Sequence, residues 1–359
     1  MTTRKTMFAT IFTAVTIAGS LMCADVQTSH AEVQKIRWKV QAVFPTWMPG
    51  LGDAIVDLAA DLDKATDGNI KFKVFDSGKI VPSKEITEAV KDNKIPAAYA
   101  YFTYDQGKMP ASTLLSAVPF GLEPVEYAAW WYYAGGEQLA QKVYKSYGLK
   151  IMLASIIGPE TAGWYRKEIK SLDDLKGLKI RFSGLGGDVL EKTGASVTLK
   201  MAEELYPALE KGELDATEYS SPAIDQRMGF YKIAKNNYFP GWHQTFTATH
   251  LVVNQGVWDK LTASNKALIE MACTASTFKA LTHGESLQGA VLNGFPEHGV
   301  VARQLSPEIL QKLKELTNEV MAEKVASDPM FKEVYESQMA FKKEYQIWKE
   351  NGYLPRNFK

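Results

Sequence analysis

Cysteine is nearly absent from this chain of 359 residues: only Cys23 and Cys273 occur. No disulfide framework is available, and a chain this long needs none because it can bury a large core. An excess of one charge is also missing. The 41 Lys and Arg balance the 41 Asp and Glu, for a net charge of 0, which argues against a nucleic-acid or anionic-membrane partner. Beyond Met22 no apolar run is long enough to span a bilayer. There is no Pro-rich linker and no low-complexity segment. Catalytic signatures are lacking as well. There is no G-x-S-x-G, and His243, His250, His283 and His298 show no metal-ligand spacing. His243 and His250 read as surface or hinge residues, and Cys273, within IEMACTAS, as a small core residue. The stretch Gly184 to Asp188 lacks the third glycine of a dinucleotide loop, and Asp188 would repel phosphate. It reads as a tight turn that brings backbone close to a ligand.

What is present begins with a leader. Arg4 and Lys5 precede an apolar run from Met7 to Met22, and Ser29-His30-Ala31 fits a small-x-small cleavage rule. Residues 1–31 read as a signal peptide cleaved after Ala31. A lipoprotein alternative at Cys23 is disfavoured by Met22 before it. Removing Arg4, Lys5 and Asp25 leaves 39 basic against 40 acidic residues. Cys273 is then the sole thiol, so no intramolecular disulfide forms.

The remaining chain alternates strand-like and helix-like segments, the pattern of α/β sheets with crossover helices. Strands are expected at Ile36 to Phe44, Ile70 to Phe75 and Ala97 to Phe102, with helices at Leu51 to Thr66 and from Ser83 through Val90. One unit occurs twice. Residues 84–99, KEITEAVKDNKIPAAY, align without gaps on 203–218, EELYPALEKGELDATE. Two related lobes follow, with a cleft between them, a favoured place for a ligand. From Ser306 to about Trp348 the chain is strongly helical, interrupted at Asp328-Pro329. A helix this long either braces both lobes or reaches a second subunit.

The segment Ser171 to Leu190, SLDDLKGLKIRFSGLGGDVL, places Arg181 at the carboxyl end of a short strand. Ligands bind there in open α/β sheets, and a guanidinium clamps a carboxylate with two parallel hydrogen bonds. The alternative is an ion pair with a neighbouring protein carboxylate. Glu218 ends the strand of the second repeat, and Glu160 lies in the loop after a strand from Lys150 to Ile156. Tyr101 and Tyr104 follow the strand of the first repeat into its loop.

The motifs G-W-Y-R-K-E-I-x-S-L-D-D-L-K-G-L-K-I-R-x-x-G-L-G-G (Gly163 to Gly187), D-A-T-E (Asp215 to Glu218), G-F-Y-K (Gly229 to Lys232) and P-G-W-H (Pro240 to His243) resemble the substrate-binding proteins of TRAP transporters. More closely, they resemble the branch that binds 2-oxo monocarboxylates such as pyruvate. The resemblance covers essentially the whole mature chain. It implies a periplasmic, two-lobed binding protein of type II-like architecture. Each lobe is a mixed sheet flanked by helices, with a long C-terminal helix. Such a protein is not an enzyme: it closes on a small organic acid and hands it to a membrane permease. The implied boundaries are 32–156 with about 245–285 for one lobe, 157–244 with about 286–340 for the other, and 341–359 for a C-terminal helix and tail.

The resemblance gives Arg181 the ligand carboxylate. A bound cation, Ca²⁺ or Na⁺, would take Glu218, the backbone carbonyl of Tyr219 and Gln244, with Glu160 beside it. Glu160, Tyr101, Tyr104 and Tyr219 complete the ligand's surroundings. A homodimer through the C-terminal helix is also implied. The chain departs from the family pattern where Glu160 replaces a Gln, Tyr219 a Trp, and Ile224 a polar residue. With ionised Glu160, a site holding Arg181, Glu218, a monocarboxylate and Na⁺ carries one uncompensated negative charge, which costs several kcal/mol when buried. Ca²⁺ or a protonated Glu160 restores the balance, as would a ligand bearing an amine. Two other classes remain open: a two-carboxylate hydrolase using Glu160 and Glu218, and an exported sensor or adaptor.

Overall fold

The structure is a computed structural model, and it describes residues 33–356. The expected leader, with its cleavage after Ala31 and the alternative at Cys23, lies outside the described residues. Among the described residues no helix is long and apolar enough to cross a membrane.

The strands run in chain order as β1 (Ile36–Ala42), β2 (Ile70–Phe75), β3 (Ala97–Ala100), β4 (Leu149–Ile157), β5 (Gly163–Tyr165), β6 (Lys179–Arg181), β7 (Ser196–Thr198), β8 (Ala216–Thr217), β9 (Asn236–Phe239), β10 (Thr247–Asn254) and β11 (Val301–Gln304). They form two mixed sheets, ordered β2-β1-β3-β10-β4 and β11-β9-β5-β8-β6-β7. Burial explains their sequences. β4 and β10 are covered almost throughout and read as near-continuous apolar runs. β1 and β2 alternate, with Arg37, Lys39, Lys71 and Lys73 outward and Trp38 and Phe72 stacked inward at 5.2 Å.

Five strands pair alike in the two sheets, and β11 adds a sixth to the second, parallel to β9. In the first, β1 pairs parallel with β2 and β3, and β10 runs antiparallel to β3 and β4. In the second, β6 pairs parallel with β7 and β8, and β5 runs antiparallel to β8 and β9. The duplicated segments are the helix-turn-strand units that end in β3 and β8, each with an alanine opening its strand.

The chain passes between the sheets after β4, through residues 158–162, and after β9, through residues 240–246. These crossings touch. The Glu160 amide donates to the Gln244 carbonyl at 3.2 Å, and a Cβ on Gly241 would stand 2.1 Å from the Glu160 carbonyl oxygen. Only glycine lets the two strands of chain approach this closely.

Helix Ala263–Gly294 lies along β4 and helix Ala54–Ala65. Beyond Asn265 and Ile269 its buried face is made of small residues, Cys273, Ser276, Thr277, Ala280 and Gly284. Helix Ala54–Ala65 starts three residues later than its apolar spacing implies, because Met48 to Asp53 form turns. The C-terminal helices Pro307–Ser327 and Pro329–Gly352 meet at Asp328, which accepts from the amides of Met330 and Phe331. The first rests on helix Gly184–Glu191 of the second sheet. The second is tied to the first sheet's helices, through Trp130 Nε1 donating to Ser337 and Gln338 Nε2 donating to the Leu114 carbonyl. The pair therefore bridges both halves.

Candidate functional site

The parallel register of β6 and β8 builds the centre of the site. Arg181 is opposite Thr217, and the amide of Glu218 donates to the Arg181 carbonyl at 3.0 Å. The two strand ends are thus adjacent, and their next side chains meet. Arg181 Nη1 donates to Glu218 Oε2 at 2.9 Å and to the Glu218 backbone carbonyl, and Nε donates to the Lys200 carbonyl at 3.3 Å. Nη2 makes no hydrogen bond among the described residues. The guanidinium also lies 5.1 Å from the centre of the Tyr219 ring. The ion pair with a protein carboxylate is therefore present, and one face of the guanidinium still has donors to offer.

Glu160 arrives on the first crossing. Its Oε1 accepts from Thr247 at 2.7 Å and from Ser220 at 3.4 Å. Burial, and then the charge of Glu218, push the Glu160 carboxyl well above the usual carboxylate range. Burial acts on Glu218 in the same direction, but the charge of Arg181 outweighs it and holds Glu218 at about 2. The two acids are thus driven apart, one toward the protonated form and one firmly ionised.

Asp225 supports this arrangement from below. It is fully buried without a cation, and accepts from Trp164 Nε1 at 2.8 Å, the Ser220 amide at 3.1 Å and Thr161 at 3.4 Å. Those contacts pin the residues that follow Glu160 and Tyr219. Burial raises its carboxyl well above the usual range.

The first sheet supplies an aromatic wall. Tyr101 and Tyr104 meet edge to face at 5.1 Å, with Phe44 beside both. The Tyr101 hydroxyl donates to Gln244 Oε1 at 3.4 Å, and Ser183 donates to the same oxygen at 3.3 Å. Gln244 Nε2 donates to Thr247 at 2.7 Å. Burial pushes the Tyr104 hydroxyl up to about 12, against the pull of Arg181. Tyr219 donates to Met48 Sδ at 3.6 Å, a contact between the halves. The expected residues Arg181, Glu160, Glu218, Tyr101, Tyr104, Tyr219 and Gln244 are therefore brought together at one seam. Ile224, one of the departures from the family pattern, is fully buried.

Three expectations are corrected. His243 is not a surface side chain: it lies in the second crossing, is 1% exposed, and has Nε2 3.4 Å from Glu218 Oε1 and 3.9 Å from Glu160 Oε2. His250 is not on the surface either. It is wholly buried between Phe102 and Trp131, and burial depresses it to about 3, so it is a neutral core group. The Gly184 to Asp188 stretch is not a turn but the start of helix Gly184–Glu191. Its glycines serve packing. A Cβ on Gly186 would stand 2.7 Å from His243 Cβ and 2.6 Å from the Phe182 ring. Sequence reasoning missed His243 because its partners lie on other strands. The available signal was its place between Trp242 and Gln244 in the second crossing.

The family model for bacterial extracellular solute-binding proteins, family 7, matches residues 48–328. A relative from Nostoc described as a monocarboxylate 2-oxoacid-binding periplasmic protein is 31% identical over 342 residues, 95% of this chain and 93% of its own. Two solved TRAP solute-binding proteins are similar throughout. One, from Bordetella bronchiseptica, has a TM-score of 0.86 at 29% identity, covering 89% of this chain and 95% of that one. It is a mixed-occupancy dimer with copurified calcium and picolinate in one site and the other site apo. The other, from Pseudoalteromonas atlantica, has a TM-score of 0.85 at 29% identity, covering 89% of this chain and 97% of that one, and holds sodium and pyruvate. The family match spans most of the chain and the Nostoc relative aligns over nearly all of it, so this chain belongs to the bacterial extracellular solute-binding proteins of family 7.

Proposed function

We propose that this protein captures a small organic acid, a 2-oxo or 2-hydroxy monocarboxylate, at the seam between its sheets and delivers it to the membrane permease of a TRAP transporter. It acts in the periplasm as a binding protein and performs no chemistry. The observation that carries the reading is the buried Arg181, held by Glu218 yet with Nη2 unengaged, beside carboxylate oxygens that lack partners. Arg181 takes the ligand carboxylate, and a cation takes the free oxygens of Glu218 and Glu160, with the Tyr219 carbonyl and Gln244 completing the site. Tyr101, Tyr104 and Tyr219 enclose the apolar end of the ligand.

Charge favours Ca²⁺. One guanidinium, two ionised glutamates, one ligand carboxylate and a divalent ion sum to zero. With Na⁺ the sum closes only if Glu160 is protonated, the direction in which its surroundings push it. The lobes run over 32–156 with about 245–285 and over 157–244 with about 286–340, the leader is cleaved after Ala31, and the exposed Ile347, Trp348 and Leu354 support a dimer through the C-terminal helix.

The test is a thermal-shift screen of 2-oxo, 2-hydroxy, amino and aromatic acids, each with Ca²⁺, with Na⁺ and with chelator. A ligand at about 100 times its Kd adds about 3 kcal/mol to stability. A clear upward shift with 2-oxo or 2-hydroxy acids, without turnover of the ligand, supports the reading. Stabilisation by none of these acids contradicts it.

A further inference from the structure

Three buried polar atoms meet at one point of the site, and while Glu160 is ionised none of them satisfies another. Glu160 Oε2, Glu218 Oε1 and His243 Nε2 each lack a hydrogen-bond partner among the described residues. The imidazole nitrogen is near both oxygens, at 3.4 and 3.9 Å, and hydrogen-bonds to neither. The three residues are at most 3% exposed. Leaving such an atom unpaired is costly, and more so when it is charged. Three of them converging on one point is an arrangement that a further partner would relieve.

Their spacing indicates what that partner is. The donor atoms lie within 4.8 Å of one another, a spread that one ion spans at ordinary ligand distances of about 2.0–2.5 Å. Gln244, which the family resemblance implies as a ligand, has its amide engaged by Thr247, Ser183 and Tyr101. His243 has no such engagement. Its ring stands edge-on to Phe182 at 4.5 Å, and the missing side chain of Gly186 makes room for it.

We propose that His243 Nε2 is a direct ligand of the bound cation together with Glu160 and Glu218, which makes this a mixed nitrogen-oxygen site whose preference is shifted from Ca²⁺ toward divalent ions of the zinc class. The proposal rests on the cation-assisted reading above and adds the identity of a donor and the class of ion it selects. Sites built from oxygen alone suit Ca²⁺, Mg²⁺ and Na⁺, whereas an imidazole nitrogen shifts preference toward first-row divalent metals.

The experiment uses the metal-stripped mature protein without organic acid. Zn²⁺ binding is measured by competition with a chromophoric chelator, Co²⁺ binding by visible absorption, and Ca²⁺ binding by calorimetry, for the wild type and for His243→Gln. The substitution replaces a nitrogen donor by an oxygen donor. It should lower the ratio of Zn²⁺ to Ca²⁺ affinity by about tenfold or more and change the Co²⁺ spectrum. Circular dichroism checks that the variant folds, and Glu160→Gln reports the contribution of the same site against surface pairs such as His283 with Asp53. A ratio and a Co²⁺ spectrum that do not move in His243→Gln overturn the proposal. Pyruvate titrations with and without cation on the same wild-type preparation separate the two levels. Cation-dependent pyruvate binding with an unmoved ratio removes the His243 ligand alone, whereas pyruvate binding indifferent to every cation removes the reading beneath it.

Discussion

The two sheets share a strand order but not a chemistry. In the first, the ends of β1 and β3 lead to Phe44, Tyr101 and Tyr104, a neutral aromatic wall. In the second, the equivalent strands β6 and β8 end at Arg181 and Glu218, a buried ion pair. The repeat makes the contrast sharp, because Tyr99 of the first copy aligns with Glu218 of the second. Tyr99 is core, its hydroxyl donating to the Leu51 carbonyl at 2.8 Å. Glu218 occupies the same place in its unit and faces the site. One backbone frame presents side chains at both sides of the seam. The charge on one side and the shape on the other come from a few substitutions at strand ends.

If this division of labour is right, removing charge from the second sheet should hurt far more than altering the first. Arg181→Ala is expected to lower organic-acid affinity by about two to four decades, since breaking a buried charged pair costs roughly 3–5 kcal/mol. Calorimetric titration measures it, and a loss below tenfold would break the comparison.

Acid should act next. Glu218 has a folded pKa of about 2 against 4.5 in the unfolded chain. The unfolded state therefore binds the extra proton between those values, and stability falls as pH falls through them. About 3 kcal/mol is present above pH 4.5 and lost by about pH 2. Urea denaturation across that window should show the slope in the wild type and a weaker one in Glu218→Gln.

Glu160 should have the opposite sign. Its raised folded pKa means that its contribution is full below about pH 4.5 and lost as pH rises through the folded value. In cation-free protein at pH 7, Glu160→Gln should raise stability by the order of 1 kcal/mol. A destabilised variant would show that the second acid is compensated within the protein.

The smallest effect belongs to the aromatic wall. Tyr104→Phe keeps the ring, and affinity should stay within about threefold, while Tyr104→Ala loses an aromatic contact of roughly 0.5–1.5 kcal/mol. A Tyr104→Phe loss as large as that of Arg181→Ala would erase the distinction between the sheets.

Much of this was legible in the sequence because it is local. The strand holding Arg181, the repeat ending in Glu218 and the break at Asp328-Pro329 are written in adjacent residues. The like placement of β3 and β8 in the two sheets agrees with the repeat. His243 was not legible, because its neighbours come from β8 and from the other crossing, and no spacing connects positions 160, 218 and 243. The glycines at 184–187 misled for a related reason. They open a helix, and Gly186 accommodates a side chain 57 positions away. His250 misled because a buried imidazole stacked between rings has the same local sequence as an exposed one.

The central claim is that carboxylate and cation are held together at the seam of the two sheets. Calorimetric titration of pyruvate into metal-stripped protein, with chelator, with Na⁺ and with Ca²⁺, tests it most directly. The account predicts weak or undetectable binding with chelator, and binding restored by a cation, more strongly by Ca²⁺ than by Na⁺. Equal affinity under all three conditions, or none under any, would contradict it.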